Sequence, residues 1–253
     1  MNSPFFIMIS KAKNPMPMPM PMVKMIKMMM MTTKQLVLVL VFMGAVVSGY
    51  SQKDDFGIWY GISTEHKLFN KFELCLSTCV RTFDNASKIE EAFLEAGVTY
   101  KFNKYLAAGG SYRITENIEK NNSYYLRHKW FLDLKGSLPA GDFSLTTRIR
   151  FQERYKTYFK DEEDKIPDSH LRWRLKVLYD IPSFPVNPFI SAEAFIPVFS
   201  ETSKKIDKNR FMFGAEYNIA KKHSLEVEYI FQRDYLPHLS DINILSVNYN
   251  IKF

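Results

Sequence analysis

The chain has 253 residues and a formal net charge of +7. Five Lys and no acidic residue precede Gln52, so the 202 residues from Gln52 onward hold 29 basic and 27 acidic side chains, a net charge of +2. This near-neutral balance removes the main argument for a nucleic-acid partner. No apolar run after residue 51 approaches the roughly 18 residues of a membrane-spanning helix, which excludes a helical membrane bundle.

The first 51 residues divide into two segments that we expect to lie outside the folded domain. Residues 1–30 are a low-complexity Met/Pro leader, and we expect the natural start to follow it. Residues 31–51 have the short basic region, the apolar run Leu36–Val47 and the small residues of a signal peptide, with cleavage before Gln52. The apolar run is shorter than the roughly 20 residues that cross a bilayer, so an uncleaved anchor is the weaker alternative. Residues 52–253 then form the domain.

Apolar and polar side chains alternate along the chain after the predicted signal peptide. Within residues 143–151, Ile149 falls on the apolar face and Arg148 on the polar one. Residues 126–135 and 171–177 repeat the pattern. A period of two is typical of β-strands, whereas a helix repeats every 3.6 residues. The sequence therefore predicts an all-β protein.

The alternation and the polar connections together predict an up-and-down antiparallel transmembrane β-barrel of about ten strands, each roughly 10–13 residues long. The strands are predicted near residues 71–82, 91–102, 105–114, 123–135, 143–155, 169–181, 188–199, 209–219, 223–233 and 243–253. Short and longer connections alternate, as in outer-membrane barrels. Residues 56–63 also read as a strand. Since closed bacterial barrels favour even strand numbers, we expect this segment to pack in the lumen or to belong to a pair that makes twelve strands.

Alternation alone does not fix which way the apolar face points. A soluble secreted barrel that binds an apolar ligand would bury the face that a membrane barrel exposes. Aromatic residues near the strand ends favour the membrane alternative. So does the last strand, where Tyr249, Ile251 and the terminal Phe253 share the apolar face. This ending resembles the insertion signal that the outer-membrane assembly machinery reads. We predict a monomer in the bacterial outer membrane, with membrane lipid, the assembly machinery and periplasmic chaperones as partners.

Short motifs along the predicted domain carry a family resemblance. They are Gly57-Ile-Trp59, Arg148-Ile-Arg150 with Glu153-Arg154, Pro188…Glu193, Arg210…Gly214…Tyr217, and Leu225…Glu228-Tyr229…Gln232. On these residues the chain from 55 to 253 resembles an uncharacterised family of outer-membrane barrels catalogued as a domain of unknown function (DUF2490). The resemblance implies a barrel in the outer membrane and brings no established activity with it.

The polar faces of the predicted strands collect charge. A basic lumen cluster is predicted from consecutive strands: Arg148, Arg150, Arg154, Arg172 and Arg174. Its acidic partners are predicted on the strands that follow: Glu193, Glu216, Glu226 and Glu228. Such a lumen either holds paired charges with a structural role or forms a narrow passage for anions. Arg suits the second role because it binds carboxylate and phosphate groups in a bidentate manner. At about ten strands a wide general porin is not expected.

Catalytic and metal chemistry have little support in the sequence. A barrel that modifies lipid would need His and Ser together on the outer face; His128 has Ser137 and Ser144 nearby in sequence, but Ser144 is predicted to face the lumen. We keep a lipid-modifying enzyme as an alternative and predict no enzyme. Cys75 and Cys79 lie roughly 13 Å apart on a regular strand, too far for a disulfide or a shared metal. No cofactor and no metal site are predicted.

Overall fold

Eleven β-strands make up most of the chain that the structure describes. In this computed structural model the described residues are 55–118, 123–158, 165–199, 206–235 and 239–253. The predicted leader 1–30 and the signal peptide 31–51 lie outside them. The strands are β1 (Asp55–Phe69), β2 (Phe72–Phe83), β3 (Lys88–Lys101), β4 (Leu106–Ile118), β5 (Tyr124–Ala140), β6 (Phe143–Lys156), β7 (Asp168–Tyr179), β8 (Val186–Pro197), β9 (Lys208–Ala220), β10 (His223–Asp234) and β11 (Ser240–Lys252). Within these ranges no helix is long and apolar enough to cross a membrane.

The strands close into one barrel in chain order. Each pairs antiparallel with the next, and β1 closes the wall by pairing parallel with β11, from Asp55 opposite Ile242 to Glu65 opposite Lys252. The ten predicted strands coincide with β2 to β11 within a few residues. The count is eleven instead of ten or twelve, because residues 56–63 belong to β1. This segment is neither a lumen plug nor half of an extra pair. It gives partners to the backbone groups of both β2 and β11, which would otherwise be open edges.

The two ends of the barrel differ in their connections. Residues 70–71, 102–105, 141–142, 180–185 and 221–222 connect strands at one end, which we call the turn side. Residues 84–87, 119–123, 157–167, 198–207 and 235–239 connect them at the other, the loop side. The predicted alternation of short and longer connections is therefore present. Because the number of strands is odd, β1 begins at the loop side and β11 ends at the turn side.

Apolar side chains point out of the barrel and most charges point in. Leu94, Ile190 and Trp173 on the outer face are 68%, 63% and 56% exposed. Arg150 and Glu193, on the inner face, are both buried. The two faces alternate residue by residue, as the period of two requires. The direction that the sequence left open is thus fixed: the apolar face is the outer one.

Aromatic rings gather at both ends of the outer face. At the turn side Tyr100 contacts Phe72 and Phe102 at centroid distances of 4.9 and 5.0 Å, and Phe143 stacks on Tyr179 at 4.8 Å. Further rings, among them those of Tyr124 and Tyr155, are exposed at the loop side. An apolar band between two aromatic girdles is the surface pattern of barrels that cross a membrane.

Candidate functional site

A cavity of about 1220 Å³ occupies the lumen of the barrel, and all eleven strands contribute side chains to it. It is lined mainly by charged and polar residues, which include the five members of the predicted basic cluster. The alternation of each strand explains this lining, since every second side chain of a closed barrel points inward. The lumen is therefore the candidate site.

The basic cluster is centred on two neighbouring strands. Arg148 of β6 lies opposite Arg174 of β7, and Arg150 lies opposite Arg172. Like charges placed directly opposite each other destabilise a strand pair. These four guanidinium groups therefore require acids close by.

Glu193 of β8 supplies the central acid. Both of its carboxylate oxygens lie 2.9 Å from Arg172, Arg148 donates to it at 2.8 Å, and Arg210 of β9 stands 3.9 Å away. The Glu193 side chain is only 3% exposed. One carboxylate thus serves three guanidinium groups, which is an excess of two positive charges within these direct ion pairs. Glu193 comes from β8, the strand that follows β7 and pairs with it.

The remaining arginines of the cluster pair with acids that the sequence analysis did not assign to them. Arg150 makes a two-pronged contact with Asp133 of β5, with both distances 2.6 Å. Arg154 pairs with Asp168 near the loop side. Each of these acids lies directly opposite its arginine on the neighbouring strand. The alternation of the sequence predicted that Asp133 lies on the polar face of its strand. Its pairing with Arg150 depends on the register between β5 and β6.

The other predicted acidic partners lie apart from Glu193. Glu226 accepts from Lys176 at 2.8 Å, and Glu228 lies 3.7 Å from Arg174. Glu216 lies opposite Glu226 in the sheet and forms no salt bridge within the described ranges. Of these three acids only Glu228 lies beside an arginine of the cluster, whereas Glu226 pairs with a lysine and Glu216 with no basic side chain in the described part of the chain.

A series of arginine–aromatic stacks, missed by the sequence analysis, surrounds the cavity. Successive strands from β1 to β6 contribute, in order, Trp59, Arg81, Phe93, Arg113, Phe131 and Arg150. Arg81 lies 3.9 Å from the Trp59 ring centroid, Arg113 lies 3.6 Å from Phe93, and Arg150 lies 4.4 Å from Phe131. Stacking holds each guanidinium plane in place and supports the long side chain in a narrow lumen. An aromatic residue that stands between two polar residues on the polar face of a strand is the sequence signal that could have revealed this arrangement.

The predicted assembly residues occupy the outer face of β11. Tyr249 contacts His223 at 2.9 Å. Phe253 stacks on His66 of β1, with centroids 4.0 Å apart and planes 7° apart, and its backbone N–H donates to the Glu65 carbonyl at 2.8 Å. Phe253 therefore also closes the seam between the first and last strands.

His128, the histidine named for the lipid-modifying alternative, lies on the outer face, where its Nδ1 contacts the Tyr112 hydroxyl. Both cysteines are free. In the described part of the chain no group of three or more His, Cys, Asp or Glu could hold a metal ion.

Fold and lumen together define a closed β-barrel with a charged interior. The family described as protein of unknown function (DUF2490) matches residues 56–243, and the chain belongs to this family. A search of curated proteins gives no significant match. Among solved structures, the NanC porin is 16% identical with a TM-score of 0.46, over 70% of this chain and 86% of the porin. OpdL of Pseudomonas aeruginosa is 15% identical with a TM-score of 0.34, over 69% of this chain and 55% of OpdL.

Proposed function

We propose that the protein is a monomeric outer-membrane barrel whose lumen gives narrow passage to small anionic solutes. The observation that carries this proposal is the sharing of Glu193 by Arg148, Arg172 and Arg210, which leaves an excess of two positive charges in the direct ion pairs beside the cavity. Guanidinium groups fixed by stacking and by carboxylates are preorganised donors for carboxylate or phosphate oxygens. An anion entering the lumen would offset the surplus.

The surface of the barrel supports the membrane part of the proposal. Large apolar side chains face outward along the wall and aromatic rings mark both of its ends. A soluble barrel that binds an apolar ligand would have the opposite arrangement, with the charges outside. The predicted signal peptide, residues 31–51, would direct export, and residues 52–253 would then be handled by chaperones and the assembly machinery. A closed wall offers no free strand edge to a second copy, which favours a monomer.

The proposed passage is tested by conductance of the refolded barrel in planar bilayers under a salt gradient. Wild-type protein is expected to conduct with a preference for anions. The double substitution Arg148→Gln and Arg172→Gln removes the two surplus charges, so its reversal potential should move to the unselective value. Arg148→Gln alone keeps the contact of Arg172 with Glu193 and should give an intermediate preference.

Lys101→Gln is the matched control for this experiment. It also removes one inward positive charge, but at the turn side, where Lys101 pairs with Glu73. Its reversal potential should stay at the wild-type value. A wild-type barrel that conducts without ion preference, or does not conduct at all, contradicts the proposed passage.

The assembly role of Phe253 gives a separate prediction. Deleting Phe253, or replacing it by Asp, removes the terminal aromatic and should leave most of the protein outside the outer membrane as a substrate for periplasmic proteases. The measurement is the amount of heat-modifiable, folded barrel in the outer-membrane fraction.

His66→Ala separates this assembly role from seam closure, since it removes the ring on which Phe253 stacks but keeps the terminal aromatic. We expect it to reach the membrane at close to wild-type amounts. Normal levels of the Phe253 deletion would exclude an assembly signal at this position, and an equal loss from His66→Ala would assign the effect to the seam.

A further inference from the structure

One wall of the lumen is apolar, whereas charged and polar residues predominate in the rest of the lining. Met212, Ile230 and Ile244, on β9, β10 and β11, pack together, and Trp59 of β1 and Ile242 of β11 pack against them. We call these five residues the apolar patch. All of them line the cavity. Met212, Ile230 and Ile244 are almost fully covered, whereas Trp59 and Ile242 keep part of their surface open.

The apolar patch lies directly beside the arginines that share Glu193. Arg210 is the inward residue that precedes Met212 on β9, and its guanidinium lies 3.9 Å from Glu193 and 5.0 Å from the Trp59 ring. Its Nε donates to Gln232 at 2.7 Å, which fixes its position. The apolar patch extends beyond the residues needed to pack against the Arg210 side chain, because Ile242 and Ile244 lie on β11, two strands away from β9.

Because the apolar patch lies beside Arg210, the lumen should bind some anions more tightly than others. Phosphate and acetate can use the guanidinium groups but have no apolar body to place on the patch. A carboxylate with a short hydrocarbon chain can contact both, and each methylene that it buries should strengthen binding roughly fourfold. We infer that the lumen binds small amphipathic organic carboxylates in preference to compact anions, with the carboxylate beside Arg210 and the chain on the apolar patch. This inference rests on the proposed anion passage and names its substrate class.

The test follows Trp59 fluorescence in the refolded full barrel. Trp130 and Trp173 lie on the outer face and are replaced by Phe, so that the signal reports the lumen. Acetate, butanoate and hexanoate are titrated in turn, with phosphate and the neutral hexan-1-ol alongside. We expect affinity to rise roughly fourfold for each methylene that is buried, up to about 250-fold from acetate to hexanoate if all four added methylenes are buried, and hexan-1-ol to bind more weakly than hexanoate.

Variants of the patch separate the apolar contact from the charge. Met212→Gln and Ile242→Asn should bring hexanoate affinity down towards that of acetate and leave acetate affinity unchanged. Ser77→Ala, which lines the cavity on β2, should preserve the rise. Equal affinities for acetate and hexanoate in the wild type, or hexan-1-ol binding as well as hexanoate, overturn the inference. If anion-selective conductance persists in that case, the proposed passage stands without it; if conductance is also unselective, both fail.

Discussion

Replacing Glu193 by Gln is expected to lower the free energy of unfolding by about 3–5 kcal/mol, the range for removing one partner of a buried ion pair. The substitution keeps the shape of the side chain but takes away the carboxylate that Arg148, Arg172 and Arg210 share within 4.0 Å. Three guanidinium groups with side-chain exposures of 18%, 12% and 13% would then repel one another in a confined lumen. Denaturant unfolding of the barrel in lipid vesicles measures the loss.

Glu216→Gln is the matched control for this prediction. It makes the same chemical change on the inner face of β9, at a glutamate with no salt bridge in the described ranges, and should change stability by no more than about 0.5 kcal/mol. Raising the chloride concentration should recover part of the stability of Glu193→Gln, because chloride can occupy the emptied position. Equal losses in the two variants would show that sharing of Glu193 does not stabilise the lumen.

The second large effect is expected on the outer face. Ile149 lies near the middle of β6, is 45% exposed and faces Trp173 of β7. If this face meets lipid, Ile149→Arg places a charge near the bilayer midplane and should cost about 2–4 kcal/mol. Leu145 lies on the same face close to the turn side, and Leu145→Arg should cost only about 0–1 kcal/mol, because charge is tolerated near the membrane interface.

A loss of stability that depends on the depth of the arginine in the membrane distinguishes lipid contact from a general effect of adding arginine. Both variants are compared by unfolding in vesicles and by the amount of folded barrel in the outer membrane. Equal and small costs at Ile149 and Leu145 would indicate that water covers this face, and the membrane part of the proposal would then fail. A larger cost at Leu145 than at Ile149 would contradict the placement of the bilayer along the strands.

The local pattern of the chain was enough to predict most of the wall. Residues 126–135, 143–151 and 171–177 alternate so regularly that their strands, and the shared polar face of their arginines, follow from a period of two alone. The placement of Tyr249, Ile251 and Phe253 on one face of the last strand follows in the same way. Alternation is a property of neighbouring residues, so it can be recognised without knowledge of the fold.

The role of β1 depends on long-range closure and was not predictable in this way. Its residues alternate as those of other strands do, but whether a strand joins the wall depends on the edges that remain unpaired elsewhere. Gly57 shows how tightly β1 fits, since a Cβ there would clash with the Thr82 carbonyl oxygen of β2. The preference of bacterial barrels for even numbers pointed away from eleven strands, and pairing of β1 with both β2 and β11 decided otherwise.

The sequence by itself determined an all-β chain with alternating faces, ten of the eleven strands, a cluster of arginines on the polar face and the apolar face of the last strand. Tertiary structure decided which way that apolar face points, which acid each arginine meets, and the adjacency of Glu193, Arg210 and the apolar patch. The physical reason is that ion pairs act over a few ångströms across strands. Register and closure, set by the whole ladder of backbone hydrogen bonds, determine which side chains come within that distance.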